Sequence, residues 1–303
     1  MENFRTTEHG SLFFCHGVEE RILDPDVQLV QMSLAVVERQ IAFQLGDHEI
    51  HLWSSSVRQP EVLQKDLRRT LSPDEWKKAA RFRFDEQRNA YIVAHGLLRL
   101  ILSCYAEVEP ERLEFVHGPR GKPALRGVPI HFNMSHSKDV VVYAVAEEPK
   151  LGIDVEYIRS IPDVLAIARQ FFSPVEYQDL LTLEEAQRSQ GFFSCWTRKE
   201  AYIKAIGDGL YTPLDQFQVA VKPKQPVALV SIQEDQRSAS EWSLFDWKLS
   251  QRYACAVAIC GSGWHITHFR FSRTTDPMAS CVDDADAGWT DVVDSWCSGT
   301  WGA

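Results

Sequence analysis

Twice along this chain a helix opens on the same cap and is followed by short strands, and this repeated order limits the fold more than any other feature. The caps are Ser72-Pro73-Asp74-Glu75 and Ser173-Pro174-Val175-Glu176. In each, the serine can receive a first-turn N–H, the proline has its φ preset for that turn, and the acid suits the positive end of a helix. The first cap leads into a helical pattern that runs, with one break, through Arg99 or beyond, and the second into one that reaches Gly207. Strand patterns precede the caps at 48–54 and 151–155. They follow the helices at 113–116, 130–132 and 140–146, and again at 217–221, 227–232, 242–249, 253–259 and 264–271. The order predicts an α+β fold, a pseudo-two-fold pair of similar halves, 48–150 and 151–272, with a seam near 148–152. Residues 1–47 read as an extension holding an amphipathic stretch around 27–45, and 273–303 as an acidic, flexible tail.

Charge first argues against anionic partners. The 303 residues carry 32 Lys and Arg against 42 Asp and Glu, a net of −10, and nucleic acid or anionic membranes select for the opposite sign. The charge is uneven, however. Residues 1–47 hold 3 basic and 8 acidic side chains, residues 274–303 hold 6 aspartates and no Lys or Arg, and the body between them is +1. Within the body, Lys77, Lys78, Arg81, Arg83 and Arg88 crowd one helical stretch, and His117, Arg120, Lys122 and Arg126 crowd a Gly/Pro turn. Such sets are ordinarily solvated faces. Together they suit a polyanion, but they lack the interleaved aromatics that stack extended nucleic acid. Seven cysteines form no C-x-x-C pair and no zinc spacing, as expected in a reducing cytoplasm. The start lacks a secretory signal, and no apolar run approaches the ~20 residues of a membrane span.

Three further elements carry chemistry. In Gly152-Ile153-Asp154-Val155-Glu156 the acids alternate with apolar residues, so a strand would project Asp154 and Glu156 from one face, as two oxygen ligands for a hard divalent cation. Taken alone, such a pair is usually a solvated strand edge. In Trp196-Thr197-Arg198-Lys199-Glu200-Ala201-Tyr202-Ile203-Lys204, helical spacing puts Trp196, Glu200 and Lys204 on one stripe. By itself Glu200/Lys204 is a surface pair worth a few tenths of a kcal/mol, but a large aromatic on the same stripe marks a half-buried face. Phe132-Asn133-Met134-Ser135-His136-Ser137 is a polar cluster ending a strand. It can be a plain turn, or a loop that binds phosphate through N–H groups and imidazole. No nucleophile elbow surrounds its serines.

In this order the four elements resemble an Sfp-type 4'-phosphopantetheinyl transferase. The family pattern Val/Ile-Gly-Ile/Val-Asp is matched by Leu151-Gly152-Ile153-Asp154, from which only Leu151 departs, and conservatively. The later aromatic motif with Lys-Glu-Ala and a lysine one turn on is matched by Trp196-Thr197-Arg198-Lys199-Glu200-Ala201 and Lys204. Gly121-Lys122-Pro123 and Phe171-Phe172-Ser173-Pro174 also fit, and the resemblance covers about 48–271. Trp196 with Lys199-Glu200-Ala201 resembles the W/KEA subgroup, which serves fatty-acid-like and polyketide synthases and includes broad-range activators.

The resemblance implies transfer of 4'-phosphopantetheine from coenzyme A to a serine of an acyl, peptidyl or aryl carrier protein, releasing adenosine 3',5'-bisphosphate. It implies Mg²⁺, with Mn²⁺ as a substitute, on Asp154, Glu156 and Glu200. Glu200 would take the serine proton and Lys204 would neutralise the leaving phosphate. Lys78, Arg81, Arg120, Lys122, Pro123, Ser135, His136, Lys199 and Lys204 would hold coenzyme A, and Lys199 could instead pair with a carboxylate. Glu75 departs from the pattern, standing where some members carry a base. A monomer without nucleic-acid or membrane partners is expected. The rival readings are a carrier-binding module that has lost catalysis, which the intact Asp154, Glu200 and Lys204 disfavour, and a Mg²⁺-dependent nuclease, which the near-neutral body disfavours.

Overall fold

The computed structural model describes residues 28–32 (backbone), 42–222, 225–233 and 235–271. The first half opens with β2 (Glu49–Ser56), after an earlier strand β1 (Gln28–Met32). It continues through α1 (Glu61–Thr70), α2 (Pro73–Ala79) and α3 (Asp85–Ala106), then β3 (Phe115–His117), β4 (Pro123–Leu125), β5 (His131–Ser137) and β6 (Val140–Ala146). The second repeats the order as β7 (Leu151–Tyr157), α4 (Val164–Phe171), α5 (Pro174–Leu181), α6 (Glu185–Ile206), β8 (Phe217–Val219), β9 (Leu229–Ile232), α7 (Gln236–Ser240), β10 (Trp242–Asp246) and β11 (Tyr253–Cys260). The strands line up as β2-β6-β5 in the first half and β7-β11-β10 in the second, and each half adds a hairpin, β3/β4 or β8/β9.

Both caps form as their composition dictates. Ser72 receives the N–H of Glu75 while Glu75 receives that of Ser72, and Ser173 and Glu176 do the same. Each acid then takes a cation from the long helix that follows. Arg99 Nε lies 2.7 Å from Glu75, and Lys199 Nζ lies 2.8 Å from Glu176.

Three apolar clusters build the core. One lies between the first sheet and α1–α3, around Trp53, Leu97, Ile101 and Tyr143. A second lies between α6 and the other sheet, around Phe193, Tyr202 and Ala256. A third, with Ile50, Leu52, Val142, Leu151, Ile153 and Val257, is sandwiched between the sheets. Strand alternation therefore turns Leu151, Ile153 and Val155 to the inter-sheet layer and leaves Gly152, Asp154 and Glu156 facing α6.

The ends depart from a clean division. Strand β12 (His265–Phe271) crosses back to pair in parallel with β2, and β1 adds to its far side. Part of the amphipathic stretch expected around 27–45 is thus an edge strand, and Phe43 packs on Trp53, Tyr105 and Phe269. The remainder of that stretch at 33–41, and the acidic tail, lie outside the described residues.

Candidate active site at the seam

The seam is made by side chains standing in for a strand. The edge of β7 presents its N–H groups toward β5, and alternate residues of β5 receive them. Ile153 donates to Asn133 Oδ1 (2.8 Å), Val155 to Ser135 Oγ (3.4 Å) and Tyr157 to Ser137 Oγ (3.0 Å). An edge strand left unpaired in an interior would strand these donors. The Asn-x-Ser-x-Ser spacing is therefore a strand device, and the loop expected at 133–137 is strand throughout.

The two serines also donate. Ser135 Oγ lies 2.9 Å from Asp154 Oδ1, and Ser137 Oγ lies 2.8 Å from Glu156 Oε2. Helix α6 closes the other side, because Gly152 has no side chain. A Cβ there would lie 2.0 Å from the carbonyl oxygen of Ala201 and 2.5 Å from the N of Ala205. This contact of helix backbone on strand brings Lys204 Nζ to 2.6 Å from Asp154 Oδ1 and 3.0 Å from Ser135 Oγ.

Three carboxylates thus share one ammonium. Burial, then the charge of Asp154, pushes Glu200 and Glu156 up to about 7 each. Lys204 rises above its ordinary value, because the surrounding carboxylates, Asp154 first, outweigh burial. Asp154 is 4% exposed and its Oδ2 has no hydrogen-bond partner. Such a group is expensive unless something arrives to meet it. Among the described residues no group of three or more acid, imidazole or thiol side chains is arranged as it stands to hold a metal ion, and the seam's acids leave one buried oxygen, Asp154 Oδ2, unmet.

The sequence-predicted residues divide. Asp154, Glu156, Glu200, Lys204 and Ser135 come together as described. His136 follows Ser135 and keeps an exposed edge, and its pKa is drawn down by partial burial and then by Lys204. Lys78 approaches from α2, 5.9 Å from the Tyr91 ring, and Arg81 is exposed just beyond it. Near Lys78 stands His95, which the sequence reading missed. It lies against Tyr91 at 4.0 Å, and burial, Lys78 and His136 hold it down to about 3, so it is neutral. The i,i+4 pair of Tyr91 and His95 on α3 was the signal available.

Two lysines depart from expectation. Lys199 is fully buried in the second core, where its ammonium meets Glu176 and the carbonyls of Leu214 (2.7 Å) and Phe217 (2.6 Å). Of its two expected roles the geometry supplies the carboxylate, and the phosphate is out of reach. Lys122 donates to the carbonyls of Pro149 (3.2 Å), Leu151 (3.0 Å) and Ala205 (2.9 Å), so its three protons are already engaged. Burial brings it down to about 8. Pro123 begins β4 opposite His117, and Arg120 sits on Asp208 at 3.4 Å. Glu75 turns inward to Ser72 and Arg99.

Known proteins carry the same arrangement of sequence. A family model for the 4'-phosphopantetheinyl transferase superfamily matches residues 150–258, and one for the N-terminal part of 4'-phosphopantetheinyl transferase matches 52–148. The chain is 39% identical over 220 residues to the 4'-phosphopantetheinyl transferase HetI of Nostoc sp., covering 71% of this chain and 90% of that protein. It is 30% identical to a putative 4'-phosphopantetheinyl transferase of Synechocystis sp., over 63% of this chain and 79% of the relative. It is 34% identical to the transferase Sfp of Bacillus subtilis, over 52% and 70%. With both halves matched in order and most of a relative's length covered, the chain belongs to the Sfp-type 4'-phosphopantetheinyl transferase family.

Proposed function

We propose that the seam is where this transferase moves 4'-phosphopantetheine from coenzyme A to a carrier-protein serine, with Asp154, Glu156 and Glu200 holding Mg²⁺ beside the pyrophosphate. The orphaned, buried Oδ2 of Asp154 within an oxygen-only acid cluster is the observation that carries this reading. Mg²⁺ commonly takes one or two protein carboxylates and completes its shell with water and phosphate oxygens, so a partly filled donor set fits it. The ion would supply charge neutralisation at the phosphates.

The other roles fall to side chains. Glu200, one helical turn before Lys204, accepts the proton of the carrier serine as its Oγ attacks the β-phosphorus. The new serine–phosphorus bond replaces the pyrophosphate P–O bond, and adenosine 3',5'-bisphosphate departs. Lys204, whose ammonium is held charged by its neighbours, meets the negative charge that develops on the leaving phosphate. Ser135, His136, Lys78, Arg81, Arg120 and Pro123 form the side on which the rest of coenzyme A lies. His95, kept neutral beside Lys78, leaves that side a hydrogen-bonding group without added charge.

The test is mass spectrometry of fatty-acid, polyketide and peptide-synthetase carriers incubated with the protein, coenzyme A and Mg²⁺. One carrier is expected to gain a single phosphopantetheine. Glu200→Gln is expected to lower kcat by about 10²-fold or more, the range lost with a general base, while the circular dichroism spectrum stays that of the folded wild type. Full turnover by Glu200→Gln would remove Glu200 from the chemistry.

A further inference from the structure

The turn between β3 and β4 reaches across the seam and grips the end of α6. It is closed by Gly118 N–H on the Lys122 carbonyl (2.9 Å) and Gly121 N–H on the Gly118 carbonyl (3.0 Å), with Gly121 at φ +86°, where glycine is at ease. From its base Lys122 extends to three carbonyls on two pieces of chain. Pro149 and Leu151 lie at the entry to β7, and Ala205 lies in the last turn of α6. The final carbonyls of a helix have no partner within it, and the helix dipole favours a cation there. Gly207 caps α6 with φ +74°, and a Cβ on it would come within 3.3 Å of the Lys122 Cδ. Beside it, Arg120 Nη1 donates to the Asp208 carbonyl (3.3 Å). One ammonium therefore ties the strand that bears Asp154 to the helix that bears Glu200 and Lys204, next to Lys204 itself.

We propose that Lys122 is a positioning residue, supplied by the first half to fix α6 along β7 so that Glu200 and Lys204 stand opposite Asp154, and that it does not hold a phosphate of coenzyme A. An ammonium has three donors and no more; here all three are spent on carbonyls, and an anion would have to displace at least one. The inference rests on the seam being the transfer site, but it makes a separate claim about the order of α6.

Lys122→Met and Lys122→Arg, in the full chain, test it. With transfer assayed well below the melting temperature of each variant, Lys122→Met is expected to lower kcat by tenfold or more. Its dissociation constant for adenosine 3',5'-bisphosphate should change less than threefold. Lys122→Arg, which keeps the charge but cannot aim at three converging oxygens, should fall between. Amide exchange should quicken at 203–209 in both and stay unchanged in α3. A tenfold loss of bisphosphate affinity with kcat intact at saturating coenzyme A would overturn the proposal and make Lys122 a ligand. If the wild-type protein modifies no carrier, the transferase reading fails instead. Exchange at 203–209 then decides alone, and unchanged protection in Lys122→Met overturns the positioning role.

Discussion

The two halves use one frame for opposite ends. The residue interval that separates the caps, Ser72 and Ser173, carries Trp53 onto Asp154 and Ser55 onto Glu156. Each of these strands faces its own 22-residue helix. The pairing agrees, since Trp53 lies opposite Tyr143 on β6 and Asp154 opposite Ala256 on β11. Along the helices, which begin at Asp85 and Glu185, Leu100 stands where Glu200 does and Cys104 where Lys204 does. The first half fills these places with buried, uncharged groups, Trp53, Ser55, Leu100 and Cys104, with Trp53 stacking on Phe269 and Phe271. The second half puts three acids and a lysine there and leaves an acid oxygen unmet. Stability and chemistry compete for the same positions, and each half has settled the matter differently.

What the halves share should break at comparable energetic levels. Removing one partner from a buried ion pair costs about 3–5 kcal/mol, because the other charge is left stranded. Lys199→Met strands Glu176 at 2% side-chain exposure, whereas Arg99→Met strands Glu75 at 17%. Both should destabilise, Lys199→Met more, and chemical denaturation would show it as a larger loss of midpoint. Equal or reversed losses would mean that the two pairs are not equivalent supports.

What the halves do not share should break at Gly152. Gly152→Ala forces a methyl into the Ala201 carbonyl, and backbone cannot step aside as a side chain can. Overpacking of this kind costs about 1–3 kcal/mol. Because it pushes α6 off β7, transfer should fall by about 10²-fold, as misplacement by an ångström can do. Gly96→Ala in the first half meets Leu67 at 2.8 Å and should lose stability alone, keeping kcat in the folded protein. An active Gly152→Ala would show that α6 does not need this close approach.

Much of this frame was legible in sequence. The two caps, the strand order and the acidic alternation of β7 follow from local rules with periods of two and 3.6. Phe132–Ser137 was misread because serine and asparagine signal turns, and nothing local says that another strand's N–H groups will come to meet them. A lysine in a motif shows its charge but not its acceptors, so sequence points Lys122 to phosphates and leaves Lys199 open between a phosphate and a carboxylate. The acceptors are mostly backbone carbonyls, which have no letter in a sequence, with the Glu176 carboxylate beside them at Lys199. Of the helices, α1, α4 and the five-residue α7 went unpredicted, and Pro60, the N-cap of α1, makes no side-chain hydrogen bond that would announce it.

The finest contrast is electrostatic, and the halves should titrate in opposite senses. In the first sheet and its helices, burial holds His95 down to about 3 and His268 to about 4. Folding excludes protons that the unfolded chain would bind, so this contribution is full above the ordinary imidazole value of 6.5 and is lost as pH falls below it. In the second half, Glu156 and Glu200 are raised to about 7 from an ordinary 4.5. The folded state there keeps protons the unfolded chain has released, so this contribution is full below 4.5 and is lost as pH rises through about 7. Above pH 6.5 the histidines have nothing further to give. Between pH 6.5 and 8, in chelator, the melting temperature should therefore fall by a few degrees, on the scale that ~1 kcal/mol moves a chain of this size. Millimolar Mg²⁺ should restore it at pH 8, because an ion bound only by the native state stabilises that state. Glu200→Gln should flatten both the fall and the rescue, whereas a wild-type melting temperature level from pH 6.5 to 8 and indifferent to Mg²⁺ would detach the acid cluster from any cation.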